Sequence, residues 1–365
     1  MKGKIAFFAG GKKFGLVEED LPKPEKDAVL VKVLLTNICG SDVKNWKGSS
    51  SVGISDKPSC QGHEFVGEIY ELGENVKEDS LGRPVKVGDR VAAPYFITCG
   101  ECGPCKKGRY ELCENAYIHL GLNPADAPHF GGTFATHYYL FPKQKFYKVP
   151  DNVSNELAVG VNCAFSQVYY GLDRIRLEAG ETLLIQGAGG LGLYASAIAK
   201  ERGAKVIVMD GVKSRLEMAK RFGADEVIDI SEVKELEARE ALVKELTGGK
   251  GVDCAMEVTG FAGAFDEGIR HLAVMGRYAV IGINTTAVSA DIHPGYITRK
   301  ALEVYGVVRY LPDYIDKSLN FISEYQDKYP FNEFSDRTFS LDELGEALQL
   351  SYDKKITRAI IDPSK

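Results

Sequence analysis

The stretch Glu181-Thr182-Leu183-Leu184-Ile185-Gln186-Gly187-Ala188-Gly189-Gly190-Leu191-Gly192 decides the fold of the second half of the chain. An apolar run that reads as a buried strand enters a glycine turn, and an alanine-rich helical pattern follows around 191–202. Gly187, Gly189 and Gly192 fit G-x-G-x-x-G. The first glycine permits a tight turn, the second lets backbone approach a pyrophosphate, and the third allows a helix to pack closely on the strand. Gly190 and Leu191 open the helix, whose N-terminal N–H groups and dipole suit phosphate. Such a turn is weak evidence alone, but here a strand precedes it, a helix follows, and Asp210 ends the next strand 23 residues after Gly187. A carboxylate at 210 accepts hydrogen bonds from ribose hydroxyls and repels a 2′-phosphate, which favours NAD over NADP. Lys213 and Arg215 offset part of that repulsion, and the bland reading of Asp210 is an exposed strand-end acid.

Outward from this turn, apolar strands alternate with helical stretches. Lys205–Asp210 precedes a helix through Leu216–Lys220, and Glu226–Asp229, Val252–Glu257 and Arg277–Gly282 are further strand candidates. Continuous apolar strands separated by helices predict an α/β domain with a doubly wound parallel sheet. Residues 1–150 read differently. Short β-rich runs such as Val29–Leu35 and Val85–Val91 lie between Gly, Pro, Asp and Ser, which predicts a compact barrel or sandwich. The last fifty or so residues are mixed and end in the strand-like Ala359-Ile360-Ile361.

Length and composition agree with two soluble domains: 365 residues, 44% hydrophobic and 26% charged. The net charge of −6, from 45 basic and 51 acidic side chains scattered in both signs, argues against a nucleic-acid partner. No apolar run approaches the roughly 18 residues of a membrane span. The apolar run near Met1 is too short for the roughly 7–15 residues of an export signal. The expectation is a cytoplasmic protein.

Four of the eight cysteines fall at Cys99, Cys102, Cys105 and Cys113, with Gly100, Gly103, Gly108 and Pro104 folding the loop between them. Four thiolates converging on one point suit a tetrahedral structural Zn²⁺ with no open position; an iron–sulfur cluster and disulfides are the alternatives. A second set is dispersed. Cys39 lies in Asn37-Ile38-Cys39-Gly40-Ser41-Asp42, a polar turn after a strand, and His63 and Glu64 lie in Gly62-His63-Glu64-Phe65-Val66-Gly67. Cys163 stands just past the boundary of the β-rich region. Two thiolates and an imidazole with a vacant fourth position make a catalytic zinc, although isolated cysteines more often pack as small apolar groups.

In combination and in order, Cys-Gly-Ser-Asp at 39–42, Gly-His-Glu at 62–64, the four-cysteine lobe and the glycine turn resemble the zinc-containing medium-chain alcohol dehydrogenases over essentially the whole chain. The resemblance implies a GroES-like catalytic domain of residues 1–163 and 309–365 and a Rossmann NAD-binding domain of residues 164–308, with the active site in the cleft between them. It implies two zinc ions per chain, one on Cys39, His63 and Cys163 and one on the four-cysteine lobe. Glu64 matches the family's carboxylate behind the metal, and Asp42 its acid supporting a zinc ligand. Arg358 is similar to the pyrophosphate-contacting arginine, Arg215 to a residue contacting the adenosine ribose, and Ile281 and Ile283 fall among the cofactor-binding positions. Lys44 stands where liver-type members carry a proton-relaying histidine. An ordinary lysine, with pKa near about 10.4, is a poor base at neutral pH. Ser41 would take the alcohol proton, with its onward route open.

The implied chemistry is hydride transfer between a small alcohol, secondary, cyclic or allylic, and NAD, giving a ketone or aldehyde. The partners would be that substrate and further copies of the chain, as a homodimer or homotetramer, without nucleic acid or membrane. Rival readings are a polyol, sugar or acyl-CoA-linked alcohol dehydrogenase, and a non-catalytic metal-stabilised binding protein. Cys163 argues against the polyol branch, where Glu is common at that position, and the joint presence of Cys39, Ser41, His63, Cys163 and the glycine turn argues against a non-catalytic chain. Trp46 and Tyr95 are candidate pocket walls, with core packing as the alternative. His119, His129, His137, His271 and His293 read as structural or surface residues, Cys60 and Cys254 as packed thiols, and residues 114–132 carry no assignable motif.

Overall fold

The computed structural model describes residues 1–48, 57–283, 289–334, 337–356 and 358–365. The chain forms two compact units, Met1–Cys163 with Leu311–Lys365, and Ala164–Tyr310.

In the first unit the organising element is the strand Val29–Asn37, whose run V-L-V-K-V-L-L-T-N is buried at seven of nine positions. A strand buried on both faces has to be flanked by partners, and the described residues supply them. It pairs antiparallel with Glu64–Leu72, His137–Leu140 and Ala359–Ile361. The same sheet continues through Arg90–Ala92 to Tyr147–Lys148 on one side and to Arg337–Phe339 on the other. A second sheet joins Phe14–Asp20, Lys2–Phe8 and Ser59–Cys60. Val31, Val33, Phe65, Ile69, Val91 and Tyr138 fill one core. Trp46 packs in another with Phe8, Ile38, Phe134, Phe339 and Leu344, in keeping with the core alternative.

Two local expectations are corrected. Of the 85–91 run only Arg90 and Val91 are strand, in Arg90–Ala92. The Asp89 carboxylate accepts the Lys86 N–H at 3.0 Å and Gly88 adopts φ 92°, which makes a turn and leaves Val87 60% exposed. After Cys39 the chain forms a helix, Gly40–Lys47, where the residues suggested only a turn. Asp42 accepts the Cys39 N–H at 2.8 Å and so supplies the N-terminal cap that the composition conceals.

The second unit is the doubly wound parallel sheet that the glycine turn predicted. Its six described strands lie in the order Glu226–Asp229, Lys205–Asp210, Thr182–Gln186, Val252–Glu257, Leu272–Val280, Glu303–Gly306, all parallel. The order reverses between Thr182–Gln186 and Val252–Glu257, and ligands of such sheets bind at the carboxyl ends beside that switch. Leu183, Leu184, Ile185, Val206, Ile207 and Val208 are all 0% exposed, as central parallel strands require. No helix among the described residues is long and apolar enough to cross a membrane.

Candidate active site

Val29–Asn37 and Glu64–Leu72 run antiparallel with Asn37 opposite Glu64. The residue just past the end of one therefore lies beside the residue just before the start of the other. Cys39, two residues past Asn37, and His63, just before Glu64, are brought near each other in this way, and Cys163 joins them from a π-helical turn, Val161–Phe165. Donor atoms of Cys39, His63, Glu64 and Cys163 all lie within 4.8 Å of one another, with the two sulfurs 4.0 Å apart. Zn–S bonds of about 2.3 Å in a tetrahedron place sulfurs about 3.8 Å apart, whereas a disulfide needs about 2 Å. Spacing and donor chemistry fit a Zn²⁺ ion and exclude a bridge.

The surroundings shift these donors in different directions, and only Cys39 is moved toward the deprotonated form that a metal takes. Asp42, 1% exposed, sets one carboxylate oxygen 3.2 Å from His63 Nδ1 and the other on the Cys39 N–H, so a single side chain orients two donors. Burial raises the Asp42 pKa against the pull of His63. Burial also opposes protonation of His63, but the Asp42 carboxylate and Cys39 outweigh it and raise its pKa well above the usual value. The Cys163 thiol, aided by His63 and the Ser41 hydroxyl, lowers Cys39 well below the ordinary thiol range, while the same contact and burial raise Cys163. A cation bound here would take both sulfurs as thiolates, displacing any proton they hold. Burial lifts Glu64 to about 7 despite its ion pair with Arg358, and Asn37 Nδ2 donates to the same oxygen at 3.4 Å. Arg358 therefore engages Glu64 in this structure. Lys44 is exposed on the helix. Tyr95 sets its ring edge-on to His63 at 5.1 Å between centroids, and a small cavity beside them is lined by Ile97, Ala116, His119 and Leu120.

The Cys99, Cys102, Cys105 and Cys113 sulfurs also lie within 4.8 Å of one another, with Cys99 and Cys105 at 4.0 Å. Backbone N–H groups of Glu101 and Cys102 donate to Cys99 at 3.5 and 3.4 Å, which stabilises a thiolate there. None of the eight cysteines forms a disulfide.

On the second unit the glycines behave as three different devices. Gly187 has φ 108°, closed to ordinary side chains. A Cβ on Gly192 would stand 1.9 Å from the Gly187 carbonyl oxygen, so helix Gly190–Glu201 packs against the turn only without one. A Cβ on Gly189 or Gly190 would meet nothing within 4 Å among the described residues, so no packing there accounts for these glycines. The open ground before a helix N-terminus is what a pyrophosphate needs. Asp210 accepts from the Ala188 and Val212 N–H groups, each at 2.8 Å, which ties the strand-end acid to the glycine turn. Arg215 is half-buried on the following helix. Ile281 is buried and Ile283 half-buried beyond the Leu272–Val280 strand.

Residues 25–151 match the model of the alcohol dehydrogenase GroES-like domain and residues 190–324 that of the zinc-binding dehydrogenases. The chain is 31% identical over 341 residues to 5-exo-hydroxycamphor dehydrogenase of Pseudomonas putida, covering 93% of this chain and 92% of that one. It is 35% identical to sorbitol dehydrogenase of Bacillus subtilis, covering 84% and 82%. An alcohol dehydrogenase structure from Thermotoga maritima superimposes with TM-score 0.92 at 27% identity, covering 99% of both chains. The chain belongs to the zinc-containing medium-chain alcohol dehydrogenases. It is an oxidoreductase of a family built for zinc and a nicotinamide dinucleotide.

Three features of this dehydrogenase site escaped the sequence. Glu257 is 0% exposed and takes N–H groups from Thr259 and Gly260, each at 2.6 Å, and from Ile283 at 3.0 Å, binding together the loops after two strands. An acid ending the apolar run Val252–Glu257 and followed by Val-Thr-Gly was the available signal. Asn37 and Asn162 carried none, because their partners lie far away in sequence. The other histidines have structural partners: His119 stacks on Phe141 at 3.8 Å, His129 bonds the Pro124 carbonyl, His137 is buried, and His271 and His293 meet Glu267 and Asp266. Cys60 and Cys254 are buried thiols with pKa pushed to about 12 by burial. Residues 114–132 close over the strand Ser59–Cys60, with the Leu122 carbonyl accepting the Cys60 N–H at 2.7 Å.

Proposed function

We propose that this dehydrogenase oxidises a secondary alcohol, cyclic or allylic, to a ketone with NAD as the preferred acceptor, and runs the reverse reduction. The convergence of Cys39, His63 and Cys163, backed by Asp42 and Glu64, is the observation that carries the proposal. These three residues would hold a catalytic Zn²⁺, and the four-cysteine lobe a structural one. A bound Zn²⁺ would supply Lewis acidity toward the substrate hydroxyl, and a bound nicotinamide would supply the hydride-accepting capacity.

The chain's own residues do the rest. Ser41, whose hydroxyl lies against the Cys39 sulfur, takes the proton of the substrate hydroxyl and passes it toward solvent. Asp42 keeps His63 in the tautomer that leaves its second ring nitrogen for the metal. Glu64 places a buried negative charge behind the donors, moderated by Arg358. Gly189, Gly190 and the helix N-terminus receive the pyrophosphate, and Asp210 the adenosine ribose, with Arg215, Ile281, Ile283 and Arg358 as further cofactor contacts. Tyr95 walls the substrate side beside His63. Lys44, exposed on the helix, stands where the relaying histidine would be, so the proton leaves Ser41 by another route. The camphor-alcohol relative favours a secondary cyclic substrate. The sorbitol relative keeps a polyol as the second reading.

A panel of secondary, cyclic, allylic and polyhydroxylated alcohols, followed by reduction of NAD and of NADP, tests this. Secondary monoalcohols should give the highest kcat/KM, with NAD preferred. Turnover confined to polyols would establish the second reading, and preference for NADP would overturn the role given to Asp210. Sedimentation analysis checks the homodimer or homotetramer that belongs to the same proposal.

A further inference from the structure

Asn162 directly precedes Cys163, is 0% exposed, and plays no part in the chemistry above. Its surroundings are unusual. Strands Glu64–Leu72 and Arg90–Ala92 pair antiparallel with Gly67 opposite Val91 and Glu68 opposite Arg90. Carried on in that register, Val66 would face Ala92 and Phe65 would face Ala93, but the ladder ends at Gly67 and Val91, and the Asn162 amide fills the gap between Phe65 and Ala93. Its Nδ2 donates to the Phe65 carbonyl at 3.2 Å and to the Ala93 carbonyl at 3.1 Å, and its Oδ1 accepts the Phe65 N–H at 3.3 Å.

Buried backbone groups left without partners cost as much as lost hydrogen bonds, so the amide stands in for the missing strand. Phe65 follows Glu64 and lies two residues from His63, and Ala93 lies two residues before Tyr95. One side chain, rooted beside Cys163, thus grips the backbone that carries His63 and Glu64 and the backbone that leads to Tyr95.

We propose that Asn162 is a positioning residue for the metal donors: by wedging the gap between Phe65 and Ala93 it fixes Cys163 against His63 and Glu64. Propagation is direct, because the amide and the Cys163 thiol share one π-helical turn. Loss of the wedge should loosen Cys163 relative to the other donors while leaving the distant four-cysteine lobe intact. The inference rests on the metal reading given under Proposed function.

The test uses the full chain loaded with Co²⁺, with Cys163→Ala as the reference that isolates the signal of the Cys39 site. Asn162→Ala should unfold cooperatively and keep its lobe metal. It should release the other metal to a chelator about 10–100-fold faster than wild type, with a shifted thiolate-to-cobalt band. Asn162→Asp has nearly the same volume and keeps the acceptor for the Phe65 N–H, but it turns an oxygen toward two carbonyls, so it should show the same loss without a cavity. Wild-type release rate and spectrum in either folded variant would overturn the proposal. So would failure of both variants to fold, which would make Asn162 a folding residue of the whole unit. A wild-type spectrum and stoichiometry identical to those of Cys163→Ala would instead bring down the metal reading, and the two failures are therefore distinguishable.

Discussion

At the scale of single residues, the site is a case of few side chains carrying several duties. Asp42 caps its helix and orients both Cys39 and His63, and Glu64 is held by Arg358 and Asn37 while facing the donors. Cys163 has one duty, and its removal is therefore the clean experiment. Cys163→Ala should lose one metal equivalent by elemental analysis. Turnover should fall by on the order of 1,000-fold or more, the several kcal/mol that a Lewis acid contributes. NADH affinity by nicotinamide fluorescence should stay within about twofold, because the glycine turn belongs to the other unit. Near-normal turnover would show that the sulfur is not a ligand.

At the scale of elements, the glycine turn separates packing from binding. Gly192→Ala drives a Cβ to 1.9 Å from a carbonyl oxygen that cannot retreat without moving the turn. We expect a loss of about 1–3 kcal/mol in urea unfolding, the range of overpacked sites, together with weakened NADH binding. Gly189→Ala enters open space and should cost at most about 1 kcal/mol as a poorer helix cap. Its NADH affinity should nevertheless fall tenfold or more, and equal affinity would remove the pyrophosphate from this ground.

A second element-scale case is the loop at Asp79, whose carboxylate accepts the Leu81, Arg83 and Lys148 N–H groups and pairs with the Arg83 guanidinium. Burial acts to raise its pKa, but these donors outweigh it and hold it below the ordinary carboxylate value. A depressed carboxyl contributes stability that is complete above its unfolded pKa of about 3.9 and is lost as pH falls through the lower folded value. Asp79→Asn should therefore cost about 2 kcal/mol at pH 7, and the gap from wild type should close in acid, as measured by urea titration at each pH. A gap independent of pH would mean that charge is not what the loop uses.

At the scale of the whole molecule, metal held by these two donor sets would be linked to folding, because each set converges on one point in the native chain. A ligand at about 100 times its Kd adds about 2.7 kcal/mol to the native state. Chelator-treated protein should melt measurably below the zinc-loaded form in calorimetry and recover on readdition. Unchanged melting would leave both clusters without a metal.

How much of this was legible beforehand follows from distance along the chain. The glycine turn, the four-cysteine lobe and the strand–helix alternation are local: their residues are neighbours in sequence, so spacing and periodicity display them. The parallel sheet and the lobe followed from that alone. Helix Gly40–Lys47 was hidden because its cap is a cysteine answered by Asp42, and the 85–91 run misled because turn-forming Gly88 and Asp89 interrupt β-branched residues. Cys39, His63 and Cys163 were recognisable only through the order of their flanking motifs, since nothing in an isolated cysteine says whether it packs or ligates. Tertiary structure alone decided that Asp42 serves two donors, that Arg358 turns to Glu64, that Glu257 ties two loops, and that Asn162 fills the gap beyond a ladder's end. Each is a contact between residues far apart in sequence, where hydrogen-bond geometry depends on how strands register in space, and no periodicity in the chain encodes that.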